Sequence, residues 1–315
     1  MTACGGGGGG SSAEAPQAQR VVITQANAPS VAAEAIDAGG AGSDASGSVT
    51  GVQVSTTSPR VSVLASLASA VKLGLTSVAP NALVGATTTH TETCSNGGSV
   101  TVTQSYTTQG TATPGDRVDL AFNSCVEGTE TLTGTLSVTL VSTSSGGKLN
   151  VVDATASAFT ITTTGLGERL NGGMRITLDE TSSATTTLTL SGSSLSFDRL
   201  VNGAARATRT LSNYNYQLAT TLATGTTSQS FSFTASGSFP RFGTVSFAAQ
   251  TTQPIVTLAG AAHPSSGAGK VTGANGTSVT VTVISTGVRL DVDTNGDGTI
   301  DATLTRMWAE LDAEL

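Results

Sequence analysis

The stretch Thr131-Leu132-Thr133-Gly134-Thr135-Leu136-Ser137-Val138-Thr139-Leu140 decides the fold. Leu132, Leu136, Val138 and Leu140 share one parity, while Thr133, Thr135, Ser137 and Thr139 take the other. A period of two is the signature of a strand with one apolar and one hydroxylated face. The runs GGMRITL, TTTLTL, SQSFSF, GTVSF and TSVTVTV repeat it, each bounded by Gly, Asn-Gly, Ser-Gly or Pro. Roughly 14 to 17 short strands fit between residues 97 and 308, joined mostly by hairpin-length turns. The expected class is all-β: a large antiparallel meander curled into a barrel-like or sandwich domain that hides its apolar face.

Composition agrees. The chain of 315 residues is 37% hydrophobic but only 4% aromatic, with small apolar groups interleaved with Ser and Thr. Its 14 basic against 21 acidic residues give a formal charge of −7. A surface of that balance excludes nucleic acid as an expected partner.

The N-terminus reads MTACGGGGGGSS. Thr2-Ala3-Cys4-Gly5 resembles the end of a bacterial lipoprotein signal, in which a small-residue pair precedes the cysteine that is lipidated. That resemblance implies a lipid on Cys4 and a membrane partner, and the Gly/Ser run after it suits a tether. Residues 1–57 are expected as this lipobox remnant and an Ala/Gly/Ser-rich tether, with one short helix from Val31 to Ala38 after Ser30 and before Gly39-Gly40. A firmer amphipathic helix is expected over residues 58–76, with Ser58 as cap and Leu64, Leu67, Ala68, Val71 and Leu75 on one face. The β-domain then spans 90–308 and a tail 309–315. In an exported protein the two remaining cysteines, Cys94 and Cys125, pair most simply as a disulfide; free thiols and a metal pair are the other readings.

One stretch suggests definite chemistry. In DVDTNGDGTID, Asp291 to Asp301, the flanking apolar residues Val288, Leu290, Val292, Ile300, Ala302 and Leu304 all carry even numbers. Burying them on one face requires opposed residues to sum to an even number. Centring on Gly296 sets Val292 against Ile300 and Asp291 against Asp301, with Asp293 on the solvent face. Facing carboxylates call for a cation. Asp293, Asn295, Asp297, Thr299 through its carbonyl, and Asp301 resemble positions 1, 3, 5, 7 and 9 of an EF-hand-type loop, with Leu304 where that loop has its Glu. Calcium is therefore the expected cofactor, held weakly, with the missing ligand supplied by Asp291, another loop or water; a solvated acidic hairpin is the other reading.

The search for catalytic residues returns His90 and His263 and no nucleophile or metalloprotease motif, so no enzyme is expected. The segments CSNGGSVTVT, PGDRVDLAFNSCVEGTETLTGTLSVTL and GKVTGANGTSVTVTVISTGVRLDVDTNGDGTID resemble those of a group of uncharacterised envelope lipoproteins of Gram-negative bacteria. The resemblance covers about residues 90 to 308; it implies an all-β fold and a place at the outer membrane, periplasmic or surface-exposed, and carries no activity. Two functions follow as expectations. One is a non-catalytic structural, adhesive or ligand-presenting module with a glycan or protein partner. The other is a carrier of lipid in an apolar cavity inside a curled sheet.

Overall fold

The structure is a computed structural model. It describes residues 19–50, 87–108, 112–144 and 146–315, with only the backbone of 41–50. Cys4 and the helix expected at 58–76 lie outside the described residues.

The all-β expectation holds. Fourteen antiparallel strands form one sheet in strict sequence order. They are β1 (Thr87–Thr93), β2 (Ser99–Ser105), β3 (Arg117–Glu127), β4 (Glu130–Thr143), β5 (Leu149–Thr162), β6 (Leu166–Asp179), β7 (Thr185–Val201), β8 (Ala204–Thr221), β9 (Thr226–Phe239), β10 (Gly243–Thr257), β11 (Ser266–Thr272), β12 (Ser278–Ile284), β13 (Gly287–Asp293) and β14 (Ala302–Met307). Among the described residues β1 and β14 form the two edges and do not pair with each other, so the sheet is open.

The strands are longer than the sequence suggests. β4 to β10 run for 14 to 18 residues. Several signals read as turns, including Asn171-Gly172, Ser191-Gly192, Ser236-Gly237 and Pro254, lie inside strands. Bulges explain the difference. The register slips at Phe122/Cys125, Ala156/Phe159 and Ser212/Asn215, where Ser124, Ala158 and Asn213 hold φ of 48°, 47° and 49°. Each extra residue switches the buried parity. Val152, Ala154 and Ala156 give way to Phe159 and Ile161 in β5; Ala207 and Leu211 give way to Tyr214 and Tyr216 in β8. A bulge bends its strand and raises its twist while the apolar face stays inward. A row of bulges across neighbouring strands therefore curls the sheet.

What lies inside that curl corrects the N-terminal reading. Residues 19–50 are built into the fold as a short extended segment and helix α1 (Ala28–Thr50). Arg20 bridges Ser246 of β10 in parallel, the Val21 amide donates to the Ser246 carbonyl at 2.9 Å, and Val21 and Ile23 are buried. Thr24 and Asn27 then exchange backbone-to-side-chain hydrogen bonds, at 2.8 and 3.3 Å, and Pro29 occupies the first turn of α1. The helix thus starts before Ser30. The Ser30 hydroxyl donates to the Glu314 carboxylate at 2.6 Å, and Gly39-Gly40 does not end the helix.

Every residue from Ala28 to Ala35 is buried, and α1 touches β7, β8 and β9 as well as β11, β12 and β13. The first two turns of α1, buried on all faces and flanked by two groups of strands, are enclosed by the sheet. The helix's composition, which reads as tether, is what the enclosure requires, since Ala side chains let backbones approach closely and Val31 and Ile36 supply the larger contacts. At Gly39 an added Cβ would stand 2.6 Å from the Phe231 ring of β9.

The expected C-terminal tail is also ordered. Helix α2 (Trp308–Asp312) follows β14 and packs on α1 through buried Leu311. Arg241 donates to the Glu314 carbonyl at 2.8 Å, and the single Trp, Trp308, stacks on His263 with ring centroids 4.8 Å apart.

Candidate functional site

Three groups of polar side chains stand out from the hydroxylated surface. The first is the β13–β14 hairpin. The even-sum register is present, but its centre is displaced: Val292 pairs with Ala302 and Asp291 with Thr303. Ile300, expected opposite Val292, is 54% exposed.

Hydrogen bonding inside the turn accounts for the longer loop. Asp293 is buried rather than on the solvent face, and its carboxylate accepts the Gly296 and Gly298 amides at 2.7 and 2.9 Å. Asp297 accepts the Thr299 amide at 2.8 Å, and Asp301 accepts the Thr294 amide and hydroxyl at 2.7 and 2.6 Å. These donors hold both carboxyls below their usual range, the Thr299 hydroxyl acting most strongly on Asp297 and the Thr294 hydroxyl on Asp301. Gly296 fixes the turn against its neighbour. It has φ of 79°, and a Cβ there would stand 2.1 Å from the Asn275 carbonyl in the short 3-10 turn Ala274–Gly276.

Of the expected ligands, Asp293, Asn295, Asp297, Thr299 and Asp301 therefore share one loop. Asp291 stands apart on the strand, and its facing partner is not Asp301. Its carboxylate accepts Arg289 Nε at 3.0 Å and the Thr303 hydroxyl at 2.9 Å, so the charge expected to need a cation already has one. The loop donors test the fit to calcium. Asp293 Oδ1 and Oδ2 each accept one amide and keep a lone pair, whereas Asp297 Oδ1 and Asp301 Oδ2 each take both an amide and a hydroxyl, which leaves the other oxygen of each carboxylate for a ligand; the Asn295 side-chain oxygen already accepts the Asp297 amide at 2.9 Å. The loop residues suit a hard, oxygen-seeking cation, with Asp291 outside the set.

The second group surrounds Cys94 and Cys125, which are bonded with S–S 2.00 Å and Cα atoms 5.4 Å apart. Cys94 opens the β1–β2 turn and Cys125 follows the Ser124 bulge, so the bond ties the first hairpin to β3. Glu127 lies beside them and accepts the Ser95 amide and hydroxyl at 3.0 and 2.6 Å. Its carboxylate and the two sulfurs fall within 4.8 Å of one another, but the sulfurs are committed to the disulfide.

The third group was not foreseen from sequence. Arg209 of β8 reaches into α1 and forms ion pairs with the Glu34 carboxylate, at 2.7 Å, and with Asp37 alongside it. Burial works against the guanidinium's charge, but Asp37 and Glu34 more than offset it and hold Arg209 above its usual range. Next to this triad the buried Tyr216 hydroxyl donates to the Ala38 carbonyl at 2.9 Å, and Gln229 Nε2 donates to the Gly39 carbonyl. Desolvation pushes the Tyr216 hydroxyl well above its usual range, so it stays a neutral donor. These polar contacts fix the axial position of the helix within the curl.

The two histidines sit far apart in roles. His90 faces Glu92 on β1 at 3.3 Å, and His263 is the stacking partner of Trp308. No described helix is long and apolar enough to cross a membrane. No known protein family, curated protein or solved structure matches the chain.

Proposed function

We propose that this protein is a non-catalytic module of a bacterial cell envelope, anchored at the outer membrane by a lipid on Cys4. Its sheet is a stiff scaffold that presents hydroxyl-rich strands to a glycan or protein partner. The observation that supports this reading is the occupied interior of the curl. Ala28, Val31 and Ala32 have no exposed surface, and the Arg209–Glu34–Asp37 contacts lock the helix where a carrier would hold its ligand. Titration with a fluorescent fatty acid tests it: no saturable binding is expected. Saturable binding that envelope phospholipid displaces overturns the scaffold reading in favour of a carrier whose α1 moves out.

Within the same reading, the β13–β14 loop takes calcium through Asp293, Asn295, Asp297, Asp301 and the Thr299 carbonyl. The ion supplies charge neutralisation that rigidifies the hairpin, with an affinity suited to the millimolar calcium outside cells. Millimolar calcium should raise the Tm more than magnesium does, and the combined Asp293→Ala and Asp297→Ala substitutions should abolish the increment. An equal response to both ions, or none, leaves the loop a hydrogen-bonded turn.

A further inference from the structure

The edge strand β1 differs from the rest of the sheet. All seven residues of its sequence TTTHTET are exposed, and among the described residues β2 is its neighbour on one side only. Half of its backbone N–H and C=O groups therefore point away from the sheet, as in any edge strand. Its faces are sorted by chemistry. Thr87, Thr89 and Thr91 form a hydroxyl ladder with Ser105, Thr103 and Thr101, each contact at 3.1 Å. The even positions Thr88, His90 and Glu92 include both ionisable side chains of the strand, with His90 Nε2 3.3 Å from Glu92 Oε1. The hairpin is also stiffened at its turn, because the Cys94–Cys125 bond ties it to β3. A pre-ordered edge loses little freedom on binding.

We propose that β1 pairs antiparallel with β1 of a second copy of this chain, about a two-fold axis through Thr91. Antiparallel pairing by a two-fold places that axis perpendicular to the sheet, so odd residues must face odd and even must face even. That restricts the register to centres on a residue, and charge chooses among them. Centring on His90 sets the two imidazoles against each other and Glu92 against Thr88. Centring on Thr89 leaves Glu92 without a charged partner. Centring on Thr91 sets His90 against Glu92 of the second copy and Glu92 against its His90, two complementary contacts made by one symmetric strand. The same register opposes Thr89 with Thr93 and Thr91 with itself, which continues the hydroxyl ladder across the junction. The other edge, β14, leads into α2 and the tail pinned by Arg241, and its pairing with β1 of another copy would be heterologous and open-ended.

Two measurements on the full chain test the register. In a Cys4→Ser background, Thr91→Cys should form a covalent dimer under mild oxidation, since directly paired Cα atoms lie about 4.5–5.5 Å apart, within disulfide range. Thr89→Cys should not, because residues displaced by four positions are about 13 Å apart along the strand. Both substitutions sit on an exposed strand, so folding is not at issue. In sedimentation velocity the parent should show a concentration-dependent dimer. His90→Glu should raise its dissociation constant on the order of tenfold by turning two attractive contacts into repulsive ones, and His90→Glu with Glu92→His should restore it. A monomer at all concentrations, equal cross-linking at Thr89 and Thr91, or no rescue by the charge swap overturns the proposal.

Discussion

Replacing Arg209 with Met exposes the energetic logic of the enclosed helix. The side chains of Arg209, Glu34 and Asp37 are 14%, 3% and 16% exposed, so the substitution strands two carboxylates inside the curl. Removing one partner of a buried ion pair costs about 3–5 kcal/mol, and because Asp37 keeps some contact with solvent the lower end, about 3 kcal/mol, applies. For a chain of this size that corresponds to a fall in Tm of about 4–6 °C. Urea unfolding followed by Trp308 fluorescence and by circular dichroism measures it. Neutralising the whole triad, with Arg209→Met, Glu34→Gln and Asp37→Asn together, removes the stranded charges and should return stability to within about 1 kcal/mol of the parent. A loss below 1 kcal/mol in Arg209→Met, or a triple variant no more stable than the single one, would refute the claim that these charges are buried against each other.

Three further predictions concern other parts of the fold. Gly39→Ala should destabilise by about 1–3 kcal/mol, because its Cβ would meet the Phe231 ring. Gly40→Ala, with nothing within 4 Å of its Cβ, should stabilise by up to about 1 kcal/mol through helix propensity; thermal melts of the pair show opposite signs. Unfolded, unreduced protein should yield no reactive thiol at Cys94 or Cys125, and replacing both with Ser should cost about 3–4 kcal/mol for the 31-residue separation, read by urea titration. Asp116 clamps the β2–β3 connection by accepting the Thr107 and Thr113 amides, each at 2.7 Å; burial alone would raise its carboxyl, but these and the threonine hydroxyls lower it. A depressed folded-state value stabilises above the unfolded one, so the gap between parent and Asp116→Asn should be full at neutral pH and close as pH falls below about 4.

The strands were legible because Leu and Val alternate with Thr and Ser over many residues, as in Thr131 to Leu140. Their length was not, because Gly172, Gly192 and Gly237 carry the same signal whether they end a strand or bulge it. The break in parity between Ala156 and Phe159 was the available clue: a single inserted residue explains both the switch and the bend. The Ala-rich N-terminus misled for a different reason. Average hydropathy takes no account of close approach, and Arg209, which partners Asp37 from 172 residues away, cannot be paired with it from sequence. In the acidic hairpin, parity was readable from Val292 and Ala302, but the turn's length depended on amides of Gly296 and Gly298 folding onto Asp293. Arg289, two residues before Asp291 on the same strand face, was the signal that this carboxylate had a partner.

Native-state hydrogen exchange on peptides covering residues 28–40 tests the enclosed helix most directly. If α1 is core, its amides from Val31 to Ala38 open only with the sheet, and their protection matches that of β7 and β8 and falls with it in Arg209→Met. Exchange of these amides within seconds, while β7 and β8 stay protected, would contradict the account and return the segment to a tether beside an empty curl.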